Sequence, residues 1–148
     1  MAALSDVNVL LALVTDRHAL HALAAAWVDR MPRGGVVECR VAQLGLLRLL
    51  NNPAVMREDA LGTDECWAVW HRLLEDERFR FAPLEPPGLE TAFEEFTRGR
   101  SFSPRLWTDA YLAAFAHASG LTFVTLDQGF RGFPGLACEL LAPEPTAG

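Results

Sequence analysis

The stretch Leu106 to Phe130, LWTDAYLAAFAHASGLTFVTLDQGF, limits the fold more than any other part of this 148-residue chain. Leu121 to Leu126 is an unbroken, β-branched and aromatic run, too short for a helix and without polar alternation. Such a strand is buried on both faces, which points to a parallel sheet between layers of helices. The residues before it supply a crossover helix. Ser103 and Pro104 suit an N-cap and a first helical position, Leu112, Ala113, Phe115 and Ala116 recur along one side, and Gly120 ends the run where a positive φ is wanted. Asp127 stands just past the strand. In an open α/β sheet that position opens onto the crevice where ligands bind, and Asp109, on the preceding helix, can face the same place.

The rest of the chain repeats the alternation. Ala2 to Ser5 is a weak strand candidate that delivers Asp6 to a strand end, and Val7 to Leu13 follows as a short helix. His18 to Met31 reads as an alanine-rich amphipathic helix, stopped by Pro32 and the Gly34-Gly35 turn. Val36 to Cys39 is a second strand, and Arg40 to Leu50 is helical by its leucine spacing until Asn51-Asn52-Pro53. Thr63 caps a helix to about Glu77 whose packed side is Trp67, Trp70, Leu73 and Leu74. Phe79 to Ala82 is a third strand, Leu89 to Thr97 a helix, Arg98 to Arg105 a basic loop, and Leu136 to Leu141 the last strand. The expectation is one α/β domain over residues 1–142, with a mainly parallel central sheet of about five strands between helices, and a loose tail at 143–148.

A hydrophobic content of 51% excludes a disordered chain. The net charge of −6 and a pI near 5.1 would not draw in a polyanion, so a nucleic-acid partner must be met by local arginines or a metal. All 13 basic residues are arginine. The lack of lysine excludes P-loop nucleotide hydrolases, haloacid-dehalogenase-type phosphatases, receiver domains and Schiff-base enzymes, whose chemistry needs an ammonium. Cys39, Cys66 and Cys138 are far apart and odd in number, which argues against a disulfide framework or a zinc site and for core residues in a reducing cytosol. The apolar run VNVLLALV is preceded by Asp6 and closed by Asp16 and Arg17, too soon to span a bilayer, so the expectation is a soluble cytoplasmic protein with no membrane partner.

If the first strand and the Leu121 to Leu126 strand are neighbours across the switch point of the sheet, Asp6 and Asp127 face each other with Asp109 close by, and the helix carrying Gln43 closes the rim. Three crowded carboxylates are stable only when protonated or when holding a cation. An all-oxygen set selects Mg²⁺ or Mn²⁺ over Zn²⁺. Such an ion acidifies a water and neutralises a scissile phosphate, which is phosphodiester hydrolysis. Taken singly, Asp6 or Asp127 is more often a turn or cap residue; the set of three in matching frames is what argues for function. His18 and His21, at i and i+3, have no third ligand and read as a half-exposed helix face. Trp27, Trp67, Trp70 and Trp107 read as core or interface anchors.

Five ordered segments carry a resemblance: SDVNVLLAL at Ser5 to Leu13, HALHALAAAW at His18 to Trp27, CRVAQLGLLRLL at Cys39 to Leu50, WTDAYLAAFA at Trp107 to Ala116 and FVTLDQGF at Phe123 to Phe130. Together they resemble the PIN-domain ribonucleases, in particular the VapC-type toxins of bacterial toxin–antitoxin pairs. The resemblance implies a three-layer PIN-like fold, a Mg²⁺ or Mn²⁺ site, endonucleolytic cutting of RNA, a homodimer, and a cognate VapB-type antitoxin that silences the site. It places Asp6, Asp109 and Asp127 at the family's acidic metal positions and Thr125 at the small hydroxyl residue two before the last acid. Gln43 stands where many relatives have glutamate; it can accept a hydrogen bond or ligate weakly but brings no charge and cannot act as a base. Arg40, three residues earlier on the same helical face, can point at the same mouth, whereas Arg48 is rotated well away as a brace. Asn8, and Arg98, Arg100 and Arg105 ahead of the Asp109 helix, are candidate RNA contacts or supports. The alternative is a PIN-like module with weakened catalysis that acts by binding RNA or protein, a reading that Gln43 motivates.

Overall fold

The computed structural model describes residues 2–143, apart from the side chain of Arg131. The expected tail therefore falls almost wholly outside the described residues. Five short strands, β1 (Ala3–Ser5), β2 (Val36–Glu38), β3 (Phe79–Phe81), β4 (Thr122–Thr125) and β5 (Cys138–Leu140), form one sheet in the order β3-β2-β1-β4-β5, and every pairing is parallel. The connections run outward from β1 through β2 to β3, then return past it to β4 and β5. Right-handed crossovers that reverse direction in this way divide their helices between the two faces of the sheet. The sheet is buried as the apolar runs require: Leu4, Val36, Phe123 and Val124 have no exposed surface.

The helices are α1 (Val7–Val14), α2 (His21–Asp29), α3 (Arg40–Leu50), α4 (Pro53–Met56), α5 (Thr63–Glu75), α6 (Leu89–Thr97) and α7 (Leu106–Ser119). α7 packs on α6 and against β1 and β4, and Gly120 closes it in the left-handed region at φ 69°. α1 packs on α2 and α3. The close approach at α3 is made by Gly45, where a Cβ would lie 2.7 Å from Val7 Cγ2. Glycine there is what the close approach needs, since any Cβ would force Val7 to shift.

Several ends differ from the sequence expectation. α2 begins at His21 rather than His18, because His18 Nδ1 accepts from the Leu20 amide and holds a turn ahead of the helix. α7 begins at Leu106, two residues beyond the expected Pro104, with Arg105 at its N-cap. Asn52 caps the short α4, and Thr63 is the first residue of α5 rather than its cap; Gly62 precedes it, its amide donating to Glu65 Oε1. On α5, Cys66, Trp70 and Leu73 are buried, but Trp67 lies outside the packed side, 46% exposed and stacked on His71. A thirteen-residue amphipathic helix has room for only one apolar stripe, and here it falls on the 66–70–73 line.

β1 and β2 part company early. Their one register pair is Ala3 with Val36, whereas β1 and β4 stay paired from Ala3 to Ser5. The opening between β1 and β2 is taken up by the side chain of Glu38, whose Oε1 accepts from the Ser5 amide at 3.3 Å and from Ser5 Oγ at 2.5 Å.

Candidate functional site

The carboxyl ends of β1 and β4 are adjacent at the point where the strand order reverses, and each is followed by an aspartate. Asp6 is the N-cap residue of α1 but makes no side-chain capping bond, so its carboxylate is left for the crevice. Thr125 Oγ1 donates to Asp6 Oδ2 at 3.1 Å and accepts from the Asp127 amide at 3.0 Å, tying the two strand ends together through one hydroxyl. Asp127 divides its oxygens: Oδ1 accepts from the Gly129 amide at 2.8 Å, capping the 3₁₀ turn Gln128–Gly132, and Oδ2 turns inward. Asp109 reaches the same point from the first turn of α7.

These three acids meet around a single nitrogen. Arg105 Nη2 lies 3.6 Å from Asp109 Oδ1, 3.8 Å from Asp127 Oδ2 and 4.0 Å from Asp6 Oδ2. Burial raises the pKa of Asp6 above the ordinary carboxylate range, against the opposing pull of the Arg105 charge and the Thr125 hydrogen bond. Asp109 is pushed up to about 6, again chiefly by burial, with Arg105 lowering it and the charges of Asp6 and Asp127 raising it further. The cluster is thus an anionic pocket partly starved of water, which wants positive charge.

Beside it opens a cleft of about 290 Å³, with Asp6 and Asp109 in its wall together with Asn8, Arg48, Arg105 and Thr108. The position of Arg48 corrects the sequence reading. Measured from Gln43, Arg48 turns away, but α3 meets α1 at Gly45, and Arg48 and Leu49 on its next turn border the cleft. Gln43 is buried, and its Oε1 accepts from Arg40 Nη1 at 2.6 Å. Arg40 in turn lies over the Phe81 ring, 4.7 Å from its centroid. Neither residue is in contact with the three acids among the described interactions. Arg98 pairs with Glu94 along its own helix end, and Arg100 donates to the Gly132 carbonyl at 2.6 Å and stacks over Phe133, so both are engaged in bracing the loop. A groove of about 350 Å³ bordered by α2, α5 and β3 contains Arg78, but that guanidinium is already held by Asp76 and Asp29.

One acid beside this region was missed by the sequence reading. Glu38, fully buried at the end of β2, has its carboxyl pushed up to about 8 by burial, and its Oε2 has no hydrogen-bond partner. In the string VVECR it looks like the polar terminus of a strand; only the separation of β1 from β2 places it against Ser5, next to Asp6.

The donors suit a hard divalent ion. They are oxygens only, and the Arg105 guanidinium already marks where a cation sits among them. They surround it at ion-pair separation, and among the described residues no group of three or more His, Cys, Asp or Glu is placed to hold a metal ion as it stands.

A sequence model of the PIN domain matches residues 3–136. Ribonuclease VapC41 of Mycobacterium tuberculosis is 40% identical over 143 residues, covering 94% of this chain and 98% of that protein. Ribonuclease VapC44 of the same organism is 32% identical over 144 residues, covering 96% and 99%. In three dimensions the chain is similar to VapBC2 from Rickettsia felis bound to a promoter DNA fragment, with a TM-score of 0.68 at 12% identity, covering 96% of this chain and 100% of that one. It is likewise similar to Mycobacterium tuberculosis VapC20, a sarcin-ricin loop cleaving toxin, with a TM-score of 0.65 at 20% identity, covering 92% and 99%. The parallel sheet order, the match across residues 3–136 and the identity to curated VapC proteins over nearly the whole chain agree: this chain belongs to the PIN-domain family, among the VapC proteins.

Proposed function

We propose that this protein is an Mg²⁺- or Mn²⁺-dependent endoribonuclease and the toxin of a toxin–antitoxin pair. The observation that carries the reading is the convergence of Asp6, Asp109 and Asp127, distant along the chain, on one cation position at the switch point of the sheet. The curated relatives are named ribonucleases. When bound, a divalent ion supplies charge to neutralise a scissile phosphate and to acidify a water. The chain's own residues do the rest. Asp6, Asp109 and Asp127 hold the ion, and Thr125 Oγ1 keeps Asp6 Oδ2 aimed by donating to it. Arg48, Asn8 and Thr108 line the path along which an RNA strand would lie, where an arginine positions phosphate without reading bases. Gln43, occupied by Arg40, contributes shape and no charge.

The partners that go with this reading are an RNA substrate, a cognate VapB-type antitoxin and a second copy of the chain in a homodimer, in the cytoplasm. No helix among the described residues is long and apolar enough to cross a membrane. RNA cleavage measured with Mg²⁺ or Mn²⁺ tests the activity. Asp6→Asn should lose at least about a hundredfold, as expected for removal of a group that holds charge at the reacting centre; full activity in that variant would defeat the assignment. The Arg40–Gln43 pair favours a second reading, a weakened module that binds RNA or protein. Calorimetric titration with Mn²⁺ separates the two, because binding that Asp127→Asn abolishes is foreign to a dead site.

A further inference from the structure

We propose that Arg105 is the resident cation of the acidic seat: its guanidinium is the counter-ion shared by Asp6, Asp109 and Asp127 in the metal-free protein and must leave before a divalent ion can enter. The inference rests on the metal-site reading above and adds a competitor built into the chain. One nitrogen of Arg105 faces all three carboxylates within 4.0 Å, and no other cationic group pairs with any of them among the described residues. At the N-cap of α7, with φ −104° and ψ −1°, Arg105 stands at the positive end of a fourteen-residue helix dipole. A cation is unfavourable there, so the acids are what hold it. The side chain is 52% exposed, which lets it swing out without opening the core.

A divalent ion in the seat would repel the guanidinium from the acids while the helix end repels it from behind. The arginine then has the cleft wall to occupy. Arg48, which forms no ion pair among the described residues, lines that same cleft, so a displaced Arg105 would join a second arginine where an RNA phosphate passes. The exchange makes the two roles of Arg105 exclusive: counter-ion without metal, phosphate contact with it.

This model predicts a sign opposite to that for a residue that organises the acids. Removing the Arg105 charge should tighten metal binding and weaken RNA cleavage together. The experiment is calorimetric titration of Mn²⁺ into the wild-type protein, Arg105→Gln and Arg105→Lys, with RNA cleavage and metal-free melting followed in parallel. The expected result is about tenfold tighter Mn²⁺ binding in Arg105→Gln, a smaller tightening in Arg105→Lys, whose ammonium reaches the acids less well, and a lower metal-free melting temperature that Mn²⁺ restores. Unchanged or weaker Mn²⁺ affinity in the glutamine variant overturns the inference; if that variant does not fold, the absence of tightening in Arg105→Lys does so. Equal Mn²⁺ affinities accompanied by metal-dependent cleavage would sink the Arg105 role alone. Absence of both Mn²⁺ binding and cleavage in all three proteins would sink the nuclease reading with it.

Discussion

At the scale of single residues, this site is governed by how much water each acid retains. Asp6 is almost wholly buried, Asp109 partly exposed and Asp127 more so, which grades the pocket from a dry inner wall to a wet rim. Glu38 is drier still, and its raised pKa is a statement about stability. Because the folded value of about 8 lies above the ordinary 4.5, the native state holds the proton that the unfolded chain has released between those limits. Stability from this group is therefore complete below about pH 4.5 and is lost as pH rises toward 8, at a slope of at most about 1.4 kcal/mol per pH unit. Glu38→Gln removes that proton. Its melting temperature relative to the wild type should climb steadily from pH 5 to pH 8; a constant offset across that range would show that Glu38 is not protonated in the fold.

At the scale of elements, the helices hold their acids at the crevice by close approach. Gly45 inside α3 would normally be a weakness, since alanine there gains about 1 kcal/mol of helix propensity. Here the added methyl meets Val7 Cγ2, so Gly45→Ala should cost about 1–3 kcal/mol in urea unfolding. Restoration by Val7→Ala in the same protein would tie that cost to the α1–α3 contact. Elements that depend on their own composition were legible from the sequence: α3 at Arg40–Leu50, α6 at Leu89–Thr97 and the Gly120 stop of α7 stand where leucine spacing and glycine placed them. Positions that depend on a neighbour were not. The start of α2 turns on a histidine bond within its loop, Glu38 on the separation of two strands, and Arg48 on which turn of α3 meets α1. The three acids were legible through their order and their family likeness, because their spacing along the chain carries no local signal.

At the scale of the whole molecule, the parallel sheet fixes what each part of the chain is worth alone. β1 lies between β2 and β4, so a chain ended at Gly120 would leave Leu4 and Ser5 without their β4 partners Phe123 and Val124 and expose the core face of α7. Such a truncation should lose the cooperative thermal transition seen by circular dichroism; a sharp melt would contradict the dependence of the fold on β4. The same strand order sets a schedule during synthesis. The first acid is separated from the backbone that must lie beside it, at Val124, by more than a hundred residues that have to be translated in between. A nascent chain thus carries an incomplete cluster of acids throughout that interval, and the pocket can close only once β4 has been made, a delay written into connectivity rather than into any regulator.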